Sequence, residues 1–229
     1  MFEIIPSPGT EDKTFEEIEK KLHAVKGLAR TIHIDIIDGK FANNKTFSDP
    51  TPFAKFAKSQ SGGLARDEKG GTSFIFEVHL MVHEPIKYLK SFAQAGFSRF
   101  IGQIEHMSDQ AEFVAEAQLL GDAGLAVDLQ TGIDAIKVPL SDLDAILVMG
   151  VQAGFSGQTF SEDALVKIKD LVDQTDVPIE VDGGINERTI QLVHNLGATR
   201  FVATNFLFGQ KKSPKEQFKL LEKVLLNER

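Results

Sequence analysis

Strand-like apolar runs and stretches of helical spacing alternate from one end of this 229-residue chain to the other. Residues 3–5 read as a strand, and 14–25 as a helix with Phe15, Ile18, Leu22 and Val25 along one stripe. A second strand opens at Thr31 and is broken by Asp38-Gly39. Further strands are predicted over 74–80, 99–103, 125–129, 145–148, 179–181 and 200–203. Helices are predicted over 52–58, 85–95, 109–120, 133–137, 162–174, 187–195 and 214–226. Pro85 occupies the favoured first helical position, and Asp109 is available as a cap. Repeated strand–helix alternation implies parallel strands. Eight units in this length predict an α/β fold, a single-domain (β/α)8 TIM barrel spanning 1–229, with a doubly wound sheet as the runner-up. The polar segment 59–72, with four glycines, reads as a mobile loop.

Composition narrows the chemistry. A 42% hydrophobic share is enough for a buried core. The net charge of −8, with no cluster of Lys and Arg, gives no nucleic-acid footprint. An anionic substrate would therefore need locally arranged donors. The absence of cysteine excludes disulfides, thiol chemistry and Cys-ligated zinc, and it suits a reducing cytoplasm. The segment Met1–Pro6 lacks the basic region and apolar core of a signal peptide, and no stretch reaches the length of a membrane span. The expected setting is cytoplasmic, with a small-molecule partner, no nucleic acid and no membrane; a homo-oligomer is left open.

Chemistry in such a barrel belongs at the C-terminal ends of its strands. In Thr31–Phe41, Ile32, Ile34 and Ile36 alternate with His33 and Asp35, so a period of 2 puts the two polar groups on one face. The third strand offers Glu77 and His79 at inward parity, and the seventh offers Glu180 and Asp182. Two imidazoles and two carboxylates (His33, Asp35, His79 and Asp182) would make a four-ligand site for one divalent metal ion: zinc, iron, manganese or cobalt. A plain His–Asp hydrogen bond at a strand end is the competing reading. Glu77 and Glu180 would either orient the ligands or form a polar barrel layer bonded to lysines. Gly183-Gly184, Thr204-Asn205 and Gly154-Phe155-Ser156-Gly157 follow strands seven, eight and six, where backbone N–H groups can converge on a phosphate. His23, His83, His106 and His194 are expected to be solvated.

Several motifs, in order along nearly the whole chain, resemble the ribulose-phosphate 3-epimerase family. They are Pro6-Ser7, the run His33 to Phe41, Asn44-Lys45-Thr46-Phe47, His79-Leu80-Met81-Val82, Val148-Met149, Gly154 to Gln158, and Glu180 to Ile185. The resemblance implies a (β/α)8 barrel that binds one divalent metal through His33, Asp35, His79 and Asp182. It also implies interconversion of D-ribulose 5-phosphate and D-xylulose 5-phosphate. Asp35 and Asp182 would transfer the proton on opposite faces, with the metal stabilising an enediolate. Ser7 and His79 are implied near the substrate, and Met81 and Met149 as a polarizable lining. Departures fall at Pro8-Gly9, Gln103-Ile104-Glu105, Glu77, Ala153, Ser156 and Thr204-Asn205. They reshape the phosphate end and leave open another ketose phosphate, such as allulose 6-phosphate. A sugar-phosphate lyase and a catalytically silent phosphate-binding barrel are rival functions. The lyase lacks an inward strand lysine, and the silent barrel leaves four costly inward polar groups without a purpose.

Overall fold

The computed structural model describes residues 1–57 and 73–226. Eight strands form one sheet: β1 Glu3–Pro6, β2 Thr31–Ile37, β3 Ile75–Met81 and β4 Phe97–Gln103, followed by β5 Asp122–Val127, β6 Ala145–Met149, β7 Ile179–Asp182 and β8 Arg200–Ala203. Every ladder is parallel, and the order β1-β8-β7-β6-β5-β4-β3-β2 curls the sheet into a nearly closed barrel. At the seam between β1 and β2, side chains make the join. Thr31 Oγ1 donates to Glu3 Oε1 at 2.6 Å, and Ser7 Oγ donates to Asp35 Oδ2 at 3.0 Å. All seven residues of β2 are buried, because one face packs outward on the helix layer and the other fills the barrel.

Local chemistry starts the helices where the sequence suggests. Thr14 caps α1 (Phe15–Ala24) in a reciprocal box with Glu17. Asp109 accepts from Glu112 N at the start of α3 (Gln110–Gln118), after the short α2 (Leu89–Gln94). The turn that leads into α2 begins at Pro85. The chain continues through α4 (Asp163–Val172), α5 (Glu187–Asn195), α6 (Asn205–Phe208) and α7 (Pro214–Leu226). The expected helix over 133–137 is absent. Ile133–Ala135 and Leu140–Asp142 form only 3₁₀ turns, because Pro139 lacks an N–H and disfavours a helical Val138 before it. The connection after β2 likewise contains a 3₁₀ turn, Thr51–Lys55. The glycine-containing segment 59–72 lies outside the described residues. Among those described, no helix is long and apolar enough to cross a membrane.

An aromatic cluster secures the short connection after β2. The ring of Phe53, fully buried, lies 5.1 Å from Phe15, 5.4 Å from Phe97 and 5.5 Å from Phe76. It thereby ties that turn to α1, β3 and β4. Phe53→Ala should remove about 3–5 kcal/mol of stability, read as a lower urea midpoint with an unchanged slope.

Candidate active site

Strand parity brings four polar side chains to one place inside the barrel. Asp35 stands beside His79 in the β2–β3 register, and Asp182 ends β7. His33 Nε2 lies 3.3 Å from Asp35 Oδ1, and His79 Nδ1 lies 3.1 Å from the same oxygen and 4.0 Å from Asp182 Oδ2. All four residues are buried, and one ligand atom from each falls within 4.8 Å of the others.

The far nitrogen of each imidazole is occupied. His33 Nδ1 faces Glu77 Oε1 at 2.9 Å and Glu180 Oε1 at 3.3 Å. Both are acceptors, so the proton sits on Nδ1 and Nε2 is turned to the cluster. On the other ring, Gln103 Nε2 donates to Glu105 Oε2 at 2.8 Å, which turns Gln103 Oε1 toward His79 Nε2 at 2.6 Å. His79 Nε2 is therefore the donor, and its Nδ1 lone pair points at Asp35 and Asp182. Two imidazole nitrogens and two carboxylate oxygens, with their outer atoms already fixed, are a donor set that fits a borderline divalent ion. Beneath them, Glu77 and Glu180 are indeed a polar layer, but its cations are Arg99 and Arg200.

Without an ion, this cluster is electrostatically polarised. Burial opposes the charge of Asp35, but the neighbouring His33 holds it well below the usual carboxylate range. Burial also opposes a charged His33, yet Asp35, Glu180 and Glu77 together raise its pKa well above the ordinary imidazole value. Burial, then the neighbouring charge of Asp35, push Asp182 up to about 7. A proton on His33 Nε2 would occupy the position a cation would take.

A cavity of about 370 Å³ opens above the cluster, with Asp35, Asp182, Met81 and Met149 lining it. Gly154, Phe155, Ser156, Gly157, Gly183, Gly184, Thr204 and Asn205 line it as well. Ser7 and His79 do not. Ser7 is fully buried behind Asp35, and His79 reaches the site only through its Nδ1. Both backbone turns at Gly183-Gly184 need glycine: φ is +105° and +69°, and a Cβ would lie 2.5 Å from Val151 and 2.7 Å from Phe160. Asp38, the carboxylate just after β2, is turned to the loops, accepting from Lys40, Phe41 and His83 N–H groups. His194 is half-buried against Phe2 and Phe201, which corrects its expected solvation; His23, His83 and His106 are exposed.

Three further features escape sequence reasoning. Thr10 and Ser156 exchange hydrogen bonds, Thr10 N to Ser156 Oγ and Ser156 N to Thr10 Oγ1, each at 2.9 Å. Asn44 Nδ2 adds a bond to Gly154 O at 2.9 Å, so the loop after β6 is fastened across the cavity mouth. Among the described lining residues, Arg188 is the sole cation, on the first turn of α5. Its place just past the Gly183-Gly184 turn was the available signal. The short α6 directly after Thr204 also has no periodicity long enough to read.

Comparison with known proteins gives a consistent result. The model of the Ribulose-phosphate 3 epimerase family matches residues 7–208. The ribulose-phosphate 3-epimerase of Bacillus subtilis is 33% identical over 199 residues, covering 83% of this chain and 85% of that protein. The ribulose-phosphate 3-epimerase of Chlamydia muridarum is 33% identical over 206 residues, covering 86% and 82%. Among solved structures, KGPDC from Streptococcus mutans superposes with a TM-score of 0.71 at 12% identity, covering 99% of this chain and 99% of that one. That last likeness speaks for the barrel alone.

The donor set leads to a direct expectation of about one divalent ion per chain in protein purified without chelators. His33→Ala and His79→Ala should each lower metal content sharply in elemental analysis. Full occupancy in both variants would refute the assignment.

Proposed function

The chain belongs to the ribulose-phosphate 3-epimerase family, and from that premise we propose that it inverts C3 of a ketose phosphate, converting D-ribulose 5-phosphate to D-xylulose 5-phosphate. The observation that carries this reading is the placement of Asp35 and Asp182 together in the cavity, on strands separated by β8 and β1. Inverting a carbon beside a ketone requires one group to take its proton and a second, on the other face, to return one. Without an ion the two carboxylates are unequal, Asp35 held ionised and Asp182 pushed toward protonation. In the reaction one of them takes the C3 proton as base and the other returns one as acid. After inversion the two have exchanged roles, and solvent exchange or the reverse reaction resets them. Ser7 keeps Asp35 oriented through its 3.0 Å hydrogen bond, and the packed Met81 and Met149 exclude water from the reacting carbon. A divalent ion held by His33, Asp35, His79 and Asp182 would supply the Lewis acid that makes the C3 proton acidic enough to leave.

The phosphate end lies with the turns at Gly183-Gly184, Thr204-Asn205 and Gly154–Gly157, with Arg188 as the side-chain charge. The altered groups there, Ser156 and Thr204-Asn205, reshape this end and carry a second reading in which another ketose phosphate, such as allulose 6-phosphate, is the substrate. In both readings the cysteine-free chain works in a reducing compartment, the cytoplasm.

Ribulose 5-phosphate in D2O should lose its C3 proton signal in NMR spectra as the xylulose epimer appears. Asp35→Asn and Asp182→Asn, assayed at matched metal content, should lower kcat by about three orders of magnitude or more. Near-normal epimerisation by either metal-replete variant would rule out the two-carboxylate scheme. Comparing kcat/KM for the pentulose and hexulose phosphates separates the two substrate readings.

Arg188→Ala should raise KM for the phosphorylated ketose about tenfold, the worth of one charge-assisted hydrogen bond, with kcat nearly unchanged. An unchanged KM would remove Arg188 from the phosphate site.

A further inference from the structure

The layer below the metal-ligand cluster contains more charge than a barrel interior needs. Arg200 is only 8% exposed, and Glu77 and Glu180 are fully buried. Side chains filling such a barrel are ordinarily branched and apolar, and well-packed apolar groups in place of buried ion pairs are often more stabilising. A set of buried ions on this scale therefore calls for a reason beyond stability.

The strand register supplies the assembly. Arg200 stands opposite Glu3 on β1 and opposite Glu180 on β7, while Glu77 stands opposite His33 on β2 and Arg99 on β4. The Arg200 guanidinium divides its donors among three carboxylates. Its Nε donates to Glu180 Oε2 at 2.7 Å, its Nη2 to Glu77 Oε2, and its Nη1 to Glu3 Oε2. Arg99 Nη1 adds a second donor to Glu77 Oε2 at 3.3 Å. One oxygen of Glu77 and one of Glu180 are thus taken by the same planar fork. The remaining oxygen of each is left against His33 Nδ1, at 2.9 and 3.3 Å. Glu180 Oε1 makes no hydrogen bond of good geometry among the described residues, and His33 Nδ1 is the group it faces.

We propose that Arg200 is a positioning residue for the metal centre: by gripping Glu77 and Glu180 from below, it directs their free oxygens onto His33 Nδ1 and so aims the His33 Nε2 lone pair at the ion. The inference rests on the metal-dependent reading above and adds a residue that never touches ion or substrate. Without that grip the two carboxylates are free to turn away, and His33 would lose the acceptors that fix its tautomer. A lysine cannot do the same, because a single ammonium lacks the planar fork that holds two carboxylates at set angles.

The test measures divalent cobalt or manganese affinity by competition with a chelator, together with thermal unfolding of the metal-free protein. Arg200→Lys keeps the charge and should fold; it should bind metal about tenfold more weakly, within the range typical of lost outer-layer contacts. Arg200→Met should lose more, and Glu3→Gln, which leaves the links to Glu77 and Glu180 intact, should bind as the parent does. Epimerase kcat should return toward the parent value at saturating metal in Arg200→Lys, which a general loss of structure would not allow. Should Arg200→Met fail to fold, Arg200→Lys alone decides. Parent-like affinity in Arg200→Lys overturns the inference while leaving the metal reading intact. A parent protein that binds no divalent metal overturns both.

Discussion

The hydrogen bond between His33 Nδ1 and Glu77, with Glu180 in ionic reach beside it, is the contact on which the rest of the barrel interior depends. His33 is fully buried, away from bulk solvent. An imidazole in that position needs an acceptor on one side and a lone-pair partner on the other. The acceptor brings two glutamates into the interior, and the guanidinium groups beside them offset the cost of burying them. Parallel register then decides where all of these can stand, since each strand contributes an inward side chain only at every second residue. The upper layer of His33, Asp35, His79 and Asp182 and the lower layer of charges are one construction seen at two heights.

The two imidazoles are stabilised by different means, and the difference has chemical consequences. Against its burial, the charge of Asp35 and then the contacts with Asp35, Glu180 and Glu77 raise the proton affinity of His33. His79 leans on Gln103, a neutral amide whose orientation is fixed by Glu105. The amide sets the tautomer without adding a negative charge next to the ligand cluster. The site therefore balances one strongly polarised imidazole against one held mainly by geometry.

Much of this was legible in the sequence wherever period-2 alternation coincided with polar residues. His33, Asp35, His79 and Asp182 were readable as inward groups because isoleucines, valines and leucines marked the opposite faces of their strands. The helix over 187–195 was equally legible, and Asn186 caps it. The failures have physical causes. Residues 133–137 carry helical spacing, but Pro139 halts propagation after a single turn. Arg99 and Arg200 stand near the entrances of their strands, where an arginine ordinarily reaches solvent, so nothing in composition assigned them to the interior. The fastening of Thr10 to Ser156 joins residues 146 positions apart, a distance over which no local pattern operates.

The support of His79 does not stop at Gln103. Glu105 Oε1 accepts from Asp128 N at 2.8 Å, and Asp128 Oδ1 accepts from Ala153 N at 3.0 Å. Lys167 adds its ammonium to the carbonyl oxygens of Asp128, Leu129 and Thr131. The connections after β4, β5 and β6 are consequently stitched to one another and, through Gln103, to an imidazole of the site. Surface connections usually absorb insertions and deletions freely over evolutionary time. Here a one-residue change in the loop carrying Asp128 would propagate to the imidazole, so these three connections can diverge in sequence but only together in length. The freedom to evolve new specificity is thereby channelled to the other side of the cavity mouth, where Arg188 and Asn205 stand outside that stitching.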